Sequence, residues 1–221
     1  MVTFAKDDIQ GALDKAVQDV LIHDSNLLNI QSSERGVVHW LAIYFDKRIR
    51  EYYTQEDIFS NENGYVVDVE YNRFYKDTKH FYSMKSDICN PDCNFQESCR
   101  KFSNKNDTYA VTLDMIFHKR QANDNILCVE VKTTSASRNN SNNASLEKCL
   151  SCDKQRVKYL TSSHENSSEP TYQYGATIYI DSIQSAQIDF WEHKNNANYL
   201  HYTLLSNGEH RNEDVYSTSE I

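Results

Sequence analysis

The segment Tyr109–Thr133 contains two stretches in which apolar and polar side chains alternate, separated by a polar turn that includes Gln121–Asn125. Alternation of this kind predicts β-strands, because successive side chains of a strand point to opposite faces. The segment is therefore predicted to form an antiparallel hairpin. The rest of the chain must cover the apolar face of this hairpin and complete any binding site on its charged face.

The register of the hairpin follows from matching apolar side chains across the two strands, since directly opposed residues share a face. Pairing Phe117 with Leu127 brings apolar residues together on one face and places Asp114 opposite Glu130 on the other. A shift by one residue would mismatch every pair, whereas a shift by two stays compatible with the pattern. The other pairs that this register predicts are Leu113–Val131, Met115–Val129 and Thr112–Lys132.

Two opposed carboxylates call for a cation between them. Their Cβ atoms would lie roughly 4.5–5.5 Å apart, where like charges are destabilising. Carboxylate oxygens at that spacing suit Mg²⁺ or Mn²⁺. Lys132, on the same face as Glu130, would orient or deprotonate a water molecule, or stabilise charge on a phosphate. The alternative is a charged strand face in solvent, but in the run ILCVEVK one acid and one base interrupt an apolar strand, which argues against it.

The flanking segments predict an α/β domain with a mixed sheet. Apolar residues at helical spacing predict three helices, and alternating or β-branched and aromatic stretches predict three further strands. The last helix would cross over between strands of the sheet. The helices are at 7–23, 32–50 and 147–162, and the strands at Gly64–Arg73, 172–180 and Ala186–Trp191.

The 221 residues are expected to form a single domain, 1–221, which is long enough to bury a substantial core. The core is predicted at about 30–191. A polar segment without clear periodicity, at about 74–108, is predicted to be a cysteine-containing insertion. The end of the chain, 206–221, is predicted to be a polar, frayed tail.

Two further acids belong to the elements beside the hairpin. Glu34 begins the second helix and lies on the same face as Val37. Such a glutamate either favours the positive end of the helix dipole or points inward, where it needs a cation or a donor. Glu70 shares one face of its strand with Asp68 and Asn72. That face meets either solvent or a site.

Composition restricts the classes of function. The net charge of −9 disfavours an extended, non-specific phosphate-binding surface, although a local basic groove remains compatible with it. No apolar run is long enough to predict a transmembrane helix, and the acidic first residues lack the pattern of a signal peptide. A cytoplasmic protein that binds no membrane is therefore expected.

The ordered set of motifs resembles the PD-(D/E)XK nuclease superfamily, the restriction-endonuclease-like proteins. Leu113-Asp114 corresponds to the PD element and Glu130-Val131-Lys132 to the ExK element, with leucine where proline is usual. Glu34, in SERGVVHWLA, matches the acid that many such enzymes carry on the first core helix. The segments VDVEYNR, LDMIFHKR, VEVK, DKQRVKYL and YQYGATIYI are similar to those of an uncharacterised, mostly prokaryotic or phage-associated group, over roughly residues 30–181.

The resemblance implies a core of helix, three strands, helix and strand, and metal-dependent hydrolysis of phosphodiester bonds. Asp114 and Glu130 would bind Mg²⁺ or Mn²⁺, Glu34 would be a third ligand directly or through water, and Lys132 would assist the attacking water. Glu70 would join the metal ligands, since its strand should neighbour the hairpin. The candidates for contact with nucleic acid, with DNA the expected substrate, are Arg73, His118 and Arg156.

Five cysteines lie in two segments that flank the hairpin. A structural Zn²⁺ needs four ligands, and a CxxC pair is a common half-site. The spacing of the first three cysteines is irregular, which favours free thiols. A zinc site is the alternative. Cys128, on the hairpin, is expected to pack in the core. The five are Cys89, Cys93, Cys99, Cys149 and Cys152.

Three functions are compatible with this pattern. The first is a Mg²⁺-dependent nuclease in restriction, phage defence or repair, for which a homodimer would supply the two sites needed to cut both strands. The second is a nuclease-fold module that binds nucleic acid or regulates without cleaving, which the acidic charge and the long insertion leave open. The third is a zinc-stabilised protein-interaction domain whose hairpin charges only face solvent.

Overall fold

The computed structural model describes residues 2–29, 34–54, 56–59, 64–71, 73–74, 77–78, 80–81, 109–110, 112–120, 122, 124–133, 143–162, 171–193 and 198–217. Its helices are α1 (Lys6–His23), α2 (Ser25–Asn29), α3 (Glu34–Tyr52) and α4 (Asn143–Thr161), with a 3-10 turn at Glu56–Phe59. Among these helices none is both long enough and apolar enough to span a membrane.

Seven strands of the described chain form one mixed sheet. In chain order they are β1 (Tyr65–Tyr71), β6 (Leu113–Lys119), β7 (Asp124–Thr133), β8 (Tyr172–Ile180), β9 (Ser185–Glu192), β10 (Asn198–Leu205) and β11 (His210–Ser217), and they lie side by side in that order. Strands β7 and β8 run parallel and the other neighbours run antiparallel. Helix α4 connects the two parallel strands. The α/β class and the mixed sheet are thus as predicted.

Four short strands lie between β1 and β6 in the sequence. They are β2 (Arg73–Phe74), β3 (Asp77–Thr78), β4 (His80–Phe81) and β5 (Tyr109–Ala110), and they pair as β2 with β3 and β4 with β5. The predicted insertion at about 74–108 lies outside the described residues, apart from positions 74, 77–78 and 80–81.

The hairpin has the register that apolar matching predicts over most of its length. Phe117 pairs with Leu127, and Met115 pairs with Val129. The ladder shifts by one residue beyond Phe117, on the side of the turn. In the other direction the ladder ends at Met115–Val129, so the predicted pairs of Asp114 and its neighbours lie just beyond it.

Both faces of the sheet are covered by helices. Helices α1 and α3 pack on the face that contains Phe117, Val129 and Val131, and these residues belong to the larger apolar cluster. Helix α4 packs on the opposite face, where Ile116 and Cys128 belong to a second cluster with residues of the helix. The charged face of the hairpin is therefore covered by α4 and does not lie open to solvent.

The expectation of a frayed tail from residue 206 is wrong for residues 210–217, which form β11 and pair with β10. The reason lies in the position of β11 at the edge of the sheet. Residues 207–215 are exposed, so this strand has no buried face and its sequence carries no apolar alternation. In β10, by contrast, Tyr202 and Leu204 are buried.

Helix α4 approaches the sheet most closely at Gly175 of β8. A Cβ atom at that position would overlap Cγ1 of Val157 and lie 2.8 Å from Cγ2 of Thr161, both on α4. These atoms belong to buried, closely packed side chains, so they have little freedom to move away. The absence of a side chain at Gly175 thus sets the distance between α4 and the sheet.

We expect Gly175→Ala to lower the free energy of unfolding by about 1–3 kcal/mol, because the added methyl group overpacks the interface between α4 and β8. Urea denaturation followed by circular dichroism measures this. Gly11→Ala is the matched control: its new methyl group would meet the hydroxyl end of Tyr52, which can move, and alanine favours the helix. A Gly175→Ala protein as stable as wild type would contradict the close approach.

Candidate functional site

Lys132 of β7 lies between the two helical layers. Its Nζ atom is 3.0 Å from Oε1 of Glu34, in the first turn of α3, and 3.5 Å from Oδ2 of Asp153, on α4. It also donates a hydrogen bond of 3.2 Å to the carbonyl oxygen of Val131. One ammonium group therefore joins elements from both sides of the sheet.

Glu130 and Arg156 form a second ion pair next to Lys132. Glu130 is only 2% exposed, and Nη1 of Arg156 donates a hydrogen bond to its Oε1. The same Nη1 lies 3.4 Å from Oδ1 of Asp153, so Asp153 contacts both cations of the site. Burial raises the pKa of Glu130 well above its usual value, although the charge of Arg156 opposes the shift.

Asp114 is held by the backbone of the partner strand. The amide N–H of Val131 donates a hydrogen bond of 2.8 Å to Oδ2 of Asp114, just beyond the last pair of the β6–β7 ladder. The charge of Asp114 also raises the pKa of Glu130. The two carboxylates that the register predicts as neighbours are therefore close enough to interact.

Among the described residues, the site contains more negative than positive charge. Four carboxylates (Glu34, Asp114, Glu130 and Asp153) face two cations (Lys132 and Arg156), which leaves a formal excess of two negative charges when all are ionised. Oε2 of Glu34 and Oδ2 of Asp153 are buried and accept no hydrogen bond from the described residues, although Nζ of Lys132 lies 3.5 Å from Oδ2 of Asp153. Excess buried negative charge is costly unless protons or a cation neutralise it.

The pKa shifts of the site follow from burial and from the neighbouring charges. Burial raises the pKa of Glu34, against the opposing charge of Lys132. Burial alone would lower the pKa of Lys132, but the carboxylates of Asp153 and Glu34 raise it overall. Lys132 is therefore a cation at neutral pH, whereas Glu34 and Glu130 bind protons more readily than ordinary glutamates.

The four carboxylates suit a divalent cation in donor type and in charge. Within the described ranges, however, no three His, Cys, Asp or Glu side chains are already arranged to hold a metal ion. Ion pairs with Lys132 and Arg156 and the amide of Val131 engage one oxygen each of Glu34, Glu130 and Asp114. Metal binding at these acids would thus exchange some of the present contacts for metal–oxygen bonds.

No family model, curated protein or solved structure matches the chain. The contacts and charges of the site are therefore the basis on which its function is inferred. They are local and specific enough to decide which of the predicted residues act together.

The structure brings together four predicted residues, Glu34, Asp114, Glu130 and Lys132, and adds Arg156 to them. Arg156 is predicted as a contact for nucleic acid, but here its guanidinium group contacts Glu130. Strand β1 neighbours β6, as expected for Glu70, but the side chains of Glu70 and Arg73 lie outside the described part of the chain.

His118 lies apart from this cluster. Its ring is 4% exposed, and Nε2 is 2.9 Å from Oδ2 of Asp68, which also accepts hydrogen bonds from Arg120. Hydrogen bonds from His118 and Arg120 lower the pKa of Asp68 to about 2, although its burial acts in the opposite direction. His118 is four residues from Asp114 along β6, roughly 13 Å, so it belongs to a second ionic cluster near the turn of the hairpin.

Only some of the cysteines lie within the described residues. Cys128 is buried on β7, as expected for a core residue. Cys149 and Cys152 lie one turn apart on α4, and Cys152 is buried. Cys89, Cys93 and Cys99 lie outside the described residues, so the zinc site stays a prediction.

Asp153 is the member of the site that sequence reasoning missed. It lies four residues before Val157 and seven before Leu160, so it shares the buried stripe of α4 with them. An acid on the apolar stripe of a crossover helix, three residues before Arg156, is a signal that could have identified it.

We expect removal of a cation of the site to lower the free energy of unfolding much more than removal of an acid. Lys132→Met keeps the length of the side chain but leaves Glu34 and Asp153 without their shared cation, so the free energy of unfolding should fall by about 3–5 kcal/mol. Glu34→Gln reduces the negative excess and should change it by less than about 1 kcal/mol, or increase it. Urea denaturation at pH 8 with a chelator measures both. If Glu34→Gln lowered the free energy of unfolding as much as Lys132→Met, the result would contradict the excess of negative charge.

Proposed function

We propose that the protein is a metal-dependent nuclease that hydrolyses phosphodiester bonds at the cluster of Glu34, Asp114, Glu130, Lys132 and Asp153. The observation that carries this proposal is the excess of two negative charges around Lys132, together with two buried carboxylate oxygens that accept no hydrogen bond from the described residues. A divalent cation would neutralise that excess.

Asp114, Glu130 and Glu34 would hold Mg²⁺ or Mn²⁺, with Asp153 as a fourth candidate. Once bound, the metal would neutralise charge on the phosphate and lower the pKa of a bound water molecule. The hydrogen bond from Val131 N–H fixes the orientation of the Asp114 carboxylate. Arg156 fixes that of Glu130. These contacts would hold the ligands in place before the metal arrives.

Lys132 would stabilise negative charge on the phosphate rather than take a proton from water. A general base at neutral pH needs an amine with a lowered pKa, whereas the surrounding carboxylates raise the pKa of Lys132. Of the roles that the sequence leaves open for this residue, a charged ammonium can orient the water or stabilise charge on the phosphate, but it cannot take a proton from the water.

The order of the elements supports the interpretation of the fold as restriction-endonuclease-like. From α3 onward, the strands of the main sheet and the helices follow as α3, β1, β6, β7, α4 and β8. Asp114 lies on the second of these strands, Glu130 and Lys132 on the third, and Glu34 on the first helix. DNA is the expected substrate, in restriction, phage defence or repair.

One observation favours a second candidate, a nuclease-fold module that binds nucleic acid without cutting it. Lys132 and Arg156 already pair with the acids of the site, so the cluster is held together by internal ion pairs. A module of this kind would use the same charges to specify the fold or to bind nucleic acid, without binding a metal.

We expect purified wild-type protein to cleave at least one of plasmid DNA, linear DNA, single-stranded DNA and RNA in the presence of Mg²⁺ or Mn²⁺. Asp114→Ala and Lys132→Met should lower the rate at least 100-fold, because each removes a group that would act on the phosphate or its metal. Lys47→Ala, at an exposed position of α3, is the control and should cleave like wild type.

Circular dichroism of each variant must first show that it is folded under the assay conditions. Equal cleavage by wild type, Asp114→Ala and Lys132→Met would identify a contaminating enzyme and contradict the proposal. The absence of cleavage on every substrate would also contradict it, and would favour the binding module.

A further inference from the structure

A cavity of about 300 Å³ lies between α4 and the sheet, beside the acid cluster. This volume is at the small end of the range for ligand pockets, about 300–1,000 Å³, so the cavity has room for one monomer-sized group. Helix α4 forms one wall and strands β8, β9 and β10 form the other. The lining includes Ser151, Lys154, Thr177, Tyr179, Gln187 and Asp189.

The register of the sheet places this cavity directly beside the acid cluster. Residues paired across adjacent strands share a face of the sheet, and adjacent strands lie about 4.7–4.9 Å apart. The cavity therefore begins one strand away from Glu130 and Lys132. Across β7, β8 and β9 the aligned positions are Glu130–Thr177–Asp189 and Lys132–Tyr179–Gln187.

The floor of the cavity is a buried, fully engaged carboxylate. Asp189 is 4% exposed and accepts hydrogen bonds from Oγ1 of Thr177 at 2.8 Å and from Nδ1 of His201 at 2.7 Å. Nζ of Lys154 lies 3.0 Å from its Oδ2. Burial would raise the pKa of Asp189, but the bond from His201 and the charge of Lys154 lower it overall.

This arrangement fixes a cation in the wall of the cavity. The Lys154 ammonium is held by Asp189 and lies 5.5 Å from the centre of the Tyr199 ring. An ammonium group has three donors, so its bond to Asp189 leaves donor capacity for a phosphate oxygen. Tyr199 itself stacks between Trp191 and Tyr216, which keeps this part of the wall rigid.

The rest of the lining combines an aromatic ring and the apolar Leu150 with polar groups, and it includes the exposed carboxylate of Glu147. Tyr179 is partly exposed and Gln187 is exposed, so a ring and an amide with both donors and acceptors face the mouth. Ser151 adds a hydroxyl group from α4. A ring for stacking, an amide and a fixed cation are the groups that bind a base and its phosphate.

We propose that this cavity binds one nucleotide of the nucleic-acid strand, adjacent to the phosphodiester bond at the acid cluster; this inference rests on the proposed function. A base that is stacked and paired inside a duplex cannot enter so small a cavity without leaving the helix. The substrate class that fits is therefore a strand with an unpaired base, such as single-stranded nucleic acid or a frayed end.

The test measures binding without cleavage, in the presence of a chelator. Calorimetric titration with the ribonucleoside and deoxyribonucleoside 5′-monophosphates follows the free nucleotide, and fluorescence anisotropy with a short single strand and the matching duplex follows the polymer. Ser151→Trp fills the cavity, and Gln187→Ala removes an exposed amide with little risk to folding. Thr203→Ala is the matched control, because Thr203 pairs with Gln187 on β10 but does not line the cavity.

We expect at least one nucleoside monophosphate to bind wild type and Thr203→Ala equally, and the single strand to bind more tightly than the duplex. Ser151→Trp should weaken both kinds of binding at least 10-fold, and Gln187→Ala should weaken them in the same direction. Failure of every monophosphate to bind, or normal binding by Ser151→Trp, would overturn the inference. Loss of monophosphate binding in Ser151→Trp with unchanged binding of the strand would overturn it too, since the cavity would then serve a free nucleotide.

The outcome is separable from that of the nuclease assay. Nucleotide and strand binding that responds to Ser151→Trp, in a protein that cleaves nothing, would support the cavity and contradict the nuclease. Metal-dependent cleavage by a protein that binds no monophosphate would support the nuclease and contradict the cavity.

Discussion

The Lys132 ammonium joins the central sheet to both helical layers. It contacts Glu34 at the start of α3 and Asp153 on α4, although these helices lie on opposite faces of the sheet. Carboxylates buried without this cation would repel one another and lose the solvation they have in water. The charged groups of α3 and α4 that meet at the end of β7 therefore share one positive charge, in addition to the apolar packing of each helix on the sheet.

Stability alone does not account for such a cluster. Buried ion pairs often contribute no more than apolar residues of similar volume, and the excess of carboxylates here makes the arrangement still less favourable. Perturbed ionisable groups concentrated in one place are typical of functional sites. Glu34, Glu130 and Lys132 all have displaced pKa values, which is consistent with a site built to exchange protons or internal ion pairs for a metal ion.

The sequence could predict the parts of the site that depend on local patterns. Apolar matching was sufficient to pair Phe117 with Leu127, and the proximity of Asp114 and Glu130 follows from that register. Asp153 was not predicted because an acid on a helix is ordinarily assigned to solvent, although its spacing from Val157 and Leu160 places it on the apolar stripe of α4. Strand β11 was not predicted because an edge strand that is exposed over most of its length, here 210–215, needs no apolar alternation. The cavity around Asp189 depends on the register of β8, β9 and β10, which no local pattern encodes.

The proposed function requires that the excess carboxylates at Lys132 hold a divalent cation. Calorimetric titration of Mn²⁺ into the wild-type protein and into Glu130→Gln tests this requirement, with Asp46→Asn, in an exposed ion pair on α3, as the control. Wild type and Asp46→Asn should bind Mn²⁺ with release of protons, because acids with raised pKa values must lose their protons to bind metal. Glu130→Gln should bind at least 10-fold more weakly. Absence of binding by wild type, or equal affinity in Glu130→Gln, would show that these carboxylates do not form a metal site.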